Sequence, residues 1–179
     1  MRIISGQWRG RPLDAPKGEA TRPTSDRARE GLFSMLASRL GSFQELRVAD
    51  LFAGTGALGL EALSRGAAHC TFVEKDRTAV EVLKRNIARL GAGEHADVRA
   101  QAVEHAPPPL QPYDLIMMDP PYTSGLAEPA LAKAAGWLAP GGWISVELHA
   151  ETPAIPEGLA LDTERRFGKA SLILLRKSH

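Results

Sequence analysis

Residues 50–59 read Asp-Leu-Phe-Ala-Gly-Thr-Gly-Ala-Leu-Gly, "DLFAGTGALG". Gly54, Gly56 and Gly59 stand at G-x-G-x-x-G spacing. A run with strand character, "RVADLFAG", leads into the motif, and the helical pattern "ALGLEALSRG" follows, ending at Gly66, which is the setting this motif requires. Glycines at the first two positions let the chain turn tightly and bring bare backbone up to a ligand.

Outward from this stretch the chain alternates. "HCTFVEKD" reads as a strand and "RTAVEVLKRNIARLG" as a helix stopped by Gly91. "ADVRAQAV" is a weaker strand, and "YDLIMMD" is a strong one. "LAEPALAKAAGWL" reads as a helix despite Pro129, and "GGWISVEL" as a strand. "LALDTERRFGKASLILLR" reads as two strands joined near Gly168. Alternating elements of this kind imply an α/β fold, with helices on both faces of a mostly parallel seven-stranded sheet and an antiparallel hairpin at its C-terminal edge. Ahead of this core, "MRIISGQWRGRPLDAP" has short apolar stretches broken by Gly6 and Gly10 and reads as a β-hairpin or extended arm. After a polar loop, Thr24 or Ser25 is expected to cap a helix in which Ala28, Leu32, Met35, Leu36 and Leu40 recur on one face.

The 179 residues suit a single domain, 1–179, with a basic arm over 1–24 and the α/β core with its leading helix over 25–179. The net charge of +1 is unevenly spread. Residues 1–29 carry seven basic side chains (Arg2, Arg9, Arg11, Lys17, Arg22, Arg27, Arg29) and three acidic ones (Asp14, Glu19, Asp26), so this end is +4 and the remainder −3. That asymmetry suggests an anionic partner, although a solvated basic face has the same signature. The one cysteine, Cys70, excludes an internal disulfide and reads as a small core residue in a reducing compartment. The opening "MRIISGQWRG" lacks the apolar segment of a signal peptide, and no apolar run is long enough to span a bilayer, so a cytoplasmic protein without membrane contact is expected. The five histidines show no metal-ligand spacing, and no metal is expected.

Glu74 ends the strand after the glycine loop, twenty residues beyond Gly54. A carboxylate there accepts hydrogen bonds from both hydroxyls of a ribose, which points to an adenosine-type ligand. Asp50, just before the glycines, favours a cationic ligand over a pyrophosphate, and so S-adenosylmethionine over a dinucleotide. "DPPY", Asp119 to Tyr122, follows the fourth strand of the series. In an open α/β sheet, ligands bind beyond the carboxyl ends of the strands, so Asp50, Glu74 and Asp119 are expected on one rim. The amino group of a nucleobase is a poor nucleophile because its lone pair is delocalised. Asp119 and the carbonyl of Pro120 are positioned to accept its two hydrogens, the prolines hold those acceptors still, and Tyr122 offers a ring for stacking.

Taken together these residues resemble the class I S-adenosylmethionine-dependent methyltransferases, with their Rossmann-like fold. More narrowly they resemble the RsmD family of bacterial 16S rRNA guanine-N2 methyltransferases. The likeness is carried by "MRIISGQWRGRPL", "TRPTSDRAREGLFSML", "DLFAGTGALGLEALSRGA", "FVEKD", "DPPY" and "RRFGKASLILL" and covers essentially the whole chain. The resemblance implies methylation of N2 of the guanine at position 966, on 16S rRNA within a 30S subunit or an assembly intermediate. It implies cofactor contacts at Asp50, Gly54, Gly56 and Glu74, with Gln101 and Ala102 near the adenine, and catalytic and base-holding roles for Asp119, Pro120 and Tyr122. Arg2, Arg9, Arg11, Arg22, Arg27 and Arg29 become candidate phosphate contacts. Trp8 either stacks on a base or pins the arm to the domain. Arg165, Arg166 and Lys169 either extend the basic patch or solvate the final turn. A monomer is expected. Competing readings are an adenine-N6 DNA methyltransferase, a catalytically silent RNA-binding assembly factor, and a nicotinamide-dependent oxidoreductase, which Asp50 and "DPPY" disfavour.

Overall fold

The computed structural model describes residues 1–16, 23–121, 125–149 and 151–179. Tyr122, expected to stack on a base, and Arg22, an expected phosphate contact, lie outside the described residues.

The elements run α1 (Pro23–Leu40), β1 (Arg47–Leu51), α2 (Ala57–Ser64), β2 (His69–Val73), α3 (Arg77–Leu90), β3 (Ala96–Arg99), β4 (Tyr113–Met118), α4 (Ala127–Trp137), β5 (Leu138–Leu148), β6 (Leu159–Phe167) and β7 (Ala170–Lys177). The sheet order is β3-β2-β1-β4-β5-β7-β6. The first five strands in this order are parallel, and β7 pairs antiparallel with both β5 and β6. This is the expected α/β architecture.

Strand periodicity divides the core. Leu115 and Met117 of β4 face one side, with Leu32, Phe33 and Leu36 of α1, Leu60 and Leu63 of α2, and Leu83 of α3. Ile116 and Met118 face the other, with Leu131, Ala134 and Trp137 of α4. Burial on both faces explains why "LIMM" is an unbroken apolar run rather than an alternating one. Cys70 is fully buried in the first layer, and burial pushes its thiol well above the ordinary range. Asp76 caps α3 by accepting from the Ala79 amide at 2.9 Å, and Gly91 closes it at φ 68°. Pro129 falls in the first turn of α4, where a backbone donor has no helical partner to lose.

Several boundaries differ from the sequence reading: β2 stops at Val73 and β3 at Arg99, short of the stretches read as strands, and two further differences have a plain physical reason. α1 already includes Pro23, so Thr24 and Ser25 lie inside the helix rather than capping it. Proline's fixed φ and missing donor suit an opening turn. β5 begins at Leu138, directly after α4, because Leu138 pairs with Tyr113 before an irregularity restores the register at Leu115–Trp143.

The N-terminal arm is a hairpin. Arg2 and Pro12 form an antiparallel bridge, the Ile3 amide donates to the Arg11 carbonyl, and the Gly10 amide to the Ile3 carbonyl, each at 2.9 Å. It is docked along α2 and α3. Glu61 of α2 is fully buried and accepts from the amides of Ile4 and Ser5 at 2.9 and 3.0 Å. The Ser64 hydroxyl donates to the Ser5 carbonyl at 2.6 Å and accepts from the Trp8 amide at 3.0 Å. Asn86 of α3 holds the far end, accepting from the Asp14 amide at 2.8 Å and donating to the Thr55 carbonyl at 3.0 Å. Ile3 and Leu13 join the same buried cluster as α1 and α2.

Candidate active site

β1, β2, β4 and β5 run parallel, so their carboxyl ends share one edge. The structure brings Asp50, Glu74 and Asp119 to that edge. A cavity of about 280 Å³ is lined by Phe52, Glu74, Gln101, Ala102, Asp119 and Pro120, among others. A second, of about 340 Å³, is lined by Asp50, Gly54, Arg29, Asp119, Ser145 and Glu147, among others. Phe52 and Asp119 border both cavities. The glycine loop thus lines one cavity, Gln101, Ala102 and Pro120 line the other, and Asp119 and Phe52 belong to both.

Local hydrogen bonds fix this rim. Glu74 accepts from the Gly54 amide at 2.7 Å and from the Asp76 amide at 2.8 Å, tying the glycine loop to the start of α3. Asp50, only 1% exposed, accepts from the Gly59 amide at 2.9 Å. Gly59 is the third residue of α2, and Gly56, at its N-cap, offers no side chain, so Asp50 caps the helix from the adjoining strand. Gly56 sits at φ 87°, and a Cβ there would come within 2.3 Å of Leu83 Cδ1. Gly59 has a different purpose: a Cβ would lie 2.3 Å from the Phe72 ring, so its lack of one sets how closely α2 rests on β2. Phe52 holds the loop entry at φ 60°, a conformation that costs a non-glycine residue free energy.

Electrostatically the site holds acidic groups short of compensating charge, which a bound cation would draw back to their ionised forms. Burial raises the Asp50 carboxyl to about 8, against the lowering effect of the Gly59 amide and with some help from Glu74. Burial at the rim and the hydrogen-bonded carboxylate of Glu147 raise Asp119 well above the ordinary range. The Asp119 side chain still presents surface to solvent, so its pairing with Glu147 is the firmer cause. The amides that would cradle a pyrophosphate are already taken, Gly59 by Asp50 and Gly54 by Glu74. Beside Gly54 a Cβ would meet nothing within 4 Å, leaving room for a ligand to approach the backbone. Gln101 lines the first cavity, and its buried Nε2 has no hydrogen-bond partner among the described residues. An adenine ring nitrogen is a suitable acceptor. These donors, acceptors and charges fit S-adenosylmethionine, with ribose on Glu74 and the cationic end near Asp50.

Sequence reasoning missed Glu147. Its signal is strand adjacency: Met118 pairs with Val146, so Asp119 and Glu147 emerge side by side from β4 and β5. Asp119, Glu147 and His149 each bring an atom of metal-ligand type within 4.8 Å of the others, a grouping that pairing creates and chain spacing does not show. Phe52 and Ser145 were also not anticipated.

The basic residues divide. Arg29 cannot be a phosphate contact, because it is only 6% exposed. Its guanidinium donates to the Arg2 carbonyl, sits 3.5 Å from Asp26, and is lowered in pKa by burial. Arg2 is exposed and donates to the Gly10 carbonyl at 2.7 Å within the hairpin. Arg11 is exposed and donates to the Arg89 carbonyl at 2.7 Å. Arg9 and Arg27 are exposed, as are Arg165, Arg166 and Lys169. Trp8 is half-buried and packs against the core, which favours the pinning alternative. The hairpin tip meets the last residue of α2 and the end of α3, whereas the starts of both helices face the rim. At 1.5 Å per residue, Arg9 and Arg11 therefore lie roughly 12–20 Å from the catalytic edge.

Comparison with known proteins gives the family. A protein-family model described as "Conserved hypothetical protein 95" matches residues 1–176. Ribosomal RNA small subunit methyltransferase D of Escherichia coli K12 is 41% identical over 181 residues, covering 99% of this chain and 90% of its own. The protein of the same name from Haemophilus influenzae is 40% identical, covering 96% and 91%. The solved structure of the Escherichia coli methyltransferase yhhF superposes with a TM-score of 0.87 at 39% identity, covering 99% of this chain and 98% of that one. A family match along nearly the whole chain, relatives at this identity, and a class I methyltransferase sheet carrying Asp-Pro-Pro at the end of β4 lead to one assignment: the chain belongs to the RsmD family.

Proposed function

We propose that the protein methylates small-subunit ribosomal RNA, transferring a methyl group from S-adenosylmethionine to the exocyclic N2 of a single guanine, position 966 of 16S rRNA. The observation that carries this reading is the position of Asp119, which lines both the cavity of Glu74, Gln101 and Pro120 and the cavity of Gly54 and Asp50. The names of the relatives support rRNA of the small subunit as the substrate class. S-adenosylmethionine, when bound, supplies an electrophilic methyl on a sulfonium.

The chain's part is to hold and orient. Glu74 accepts from the ribose hydroxyls, the Gln101 amide donates to the adenine, and Asp50 and its neighbours favour the positive end of the ligand. Asp119 accepts one N2 hydrogen and the Pro120 carbonyl the other, which draws the lone pair out of conjugation. Pro120 and Pro121 restrict the backbone that carries these acceptors, so little reorganisation is needed as charge develops. Placing amine and methyl in line supplies about 7–11 kcal/mol of the barrier reduction. A strong base is unnecessary, because the methylated amine is acidic and releases its extra proton to Asp119 or water. The protein acts in the cytoplasm as a monomer, on rRNA alone or within an assembling 30S particle, and exposed Arg2, Arg9, Arg11 and Arg27 contact RNA phosphates.

The test is incubation with labelled S-adenosylmethionine and either 30S particles or naked 16S rRNA from a strain lacking the modification, followed by mapping of the label. One labelled guanine N2 is expected. Label confined to adenine, or to DNA, would overturn the reading. Firm RNA binding without label would make the protein an assembly factor.

A further inference from the structure

Glu147 has no part in the mechanism so far, yet it stands beside the reacting amine's acceptor. It lies near the carboxyl end of β5, an inner strand paired on one side with β4 and on the other with β7, where Glu147 itself is opposite Leu172. Its backbone is therefore held by β7, and the pairing with β4 reaches its neighbour Val146. Its carboxylate hydrogen-bonds Asp119, and it lines the same cavity as Asp50, Gly54 and Asp119. His149 Nε2 lies 3.9 Å from its Oε2.

On the Watson–Crick edge of guanine, the N1–H donor is adjacent to the N2 amine. A base whose N2 hydrogens meet Asp119 and the Pro120 carbonyl presents N1 to whatever adjoins Asp119, and that neighbour is Glu147. A carboxylate can only accept. It therefore complements the N1–H of guanine and opposes the N1 lone pair that adenine and 2-aminopurine carry. We infer that Glu147 reads the N1–H of the target base and so makes the site specific for guanine rather than merely for a purine amine. This rests on the guanine-N2 reading and deepens it. The raised pKa of Asp119, which burial and the adjoining Glu147 cause, agrees with acidic oxygens that a base offering N1–H and N2–H would supply with donors.

The experiment uses the full chain, Glu147→Gln, and two ligated 16S rRNAs, one with guanine at the target position and one with 2-aminopurine, which keeps the 2-amine but has an acceptor at N1. The wild type should prefer guanine by about 10–100-fold in kcat/KM, the discrimination of a well-made base contact. An amide can turn to donate or accept, so Glu147→Gln should lower the guanine rate and bring the two RNAs within about threefold of each other. The ratio is taken within one protein, so a general loss of activity cancels. If the variant has no turnover on either RNA, the ratio is read from their competitive affinities. A variant that keeps the wild-type preference would overturn the inference, as would a wild type indifferent to the two bases. Absence of wild-type label from the guanine RNA would remove the guanine-N2 reading itself, and the inference with it.

Discussion

Asp50 illustrates how a single residue trades stability for a site. It is withheld from water and given one amide for compensation, so in the folded protein its carboxyl titrates at about 8. The folded state thus keeps a proton that the unfolded chain releases near pH 4. The stability this group contributes is complete below that value and declines as pH rises through about 8. Asp50→Asn keeps the acceptor for the Gly59 amide without the charge. Thermal melts should show the variant close to wild type near pH 4–5 and more stable at pH 8–9, by about 5 °C or more. Parallel curves at both pH values would mean that Asp50 is not held as described. Asp119 differs because its proposed role is to hold the acceptor. Asp119→Ala should lower kcat by about 10²–10³ or more while calorimetry finds cofactor affinity within roughly threefold of wild type; a large loss of affinity would move this residue to the cofactor's side of the site. Asp50, Glu74 and Asp119 are legible in the sequence because each ends or immediately follows an apolar strand. Glu147 follows the same rule, but only the pairing of β4 with β5 shows what it adjoins.

At the scale of elements, the arm is the least local feature. Gly6 and Gly10 announce a hairpin, but what holds it lies more than fifty residues away, on Glu61, Ser64 and Asn86. A buried glutamate on an otherwise apolar helix is a signal of such docking, since a charge so placed needs donors. Burial likewise removes Arg29 from the candidate phosphate contacts, a distinction that residue type alone does not make. Gly6 is the point of closest approach: at φ 91° its Cβ would lie 2.0 Å from the Ser64 carbonyl oxygen. Gly6→Ala should therefore cost about 1–3 kcal/mol, through strain and overpacking. The melting temperature should fall by about 2–4 °C per kcal/mol. An unchanged melt would show that the hairpin tip is not tied to α2.

Across the whole molecule, the parallel order gathers the strands' carboxyl ends into one edge, where the candidate site lies, and the hairpin carries Arg9 and Arg11 toward the opposite end. The alternation of strands and helices made the first of these readable in advance. The second depends on the direction in which the arm runs along α2 and α3, which no short-range pattern encodes. RNA that meets both regions must extend well past the target base. Replacing Arg9 and Arg11 by Ala should weaken binding uniformly across sequences and reduce the slope of log K against log salt by about 0.7–0.9 for each phosphate no longer neutralised. An unchanged slope would leave the arm a purely structural element. The central claim is that the carboxylates of this edge grip a cationic methyl donor and face its methyl toward Asp119. The most direct measurement is a crystal structure with S-adenosylmethionine bound. The account predicts ribose hydroxyls on Glu74, adenine beside Gln101 and the methyl turned toward Asp119 and Pro120; a cofactor seated away from Glu74, or a methyl turned from Asp119, would contradict it.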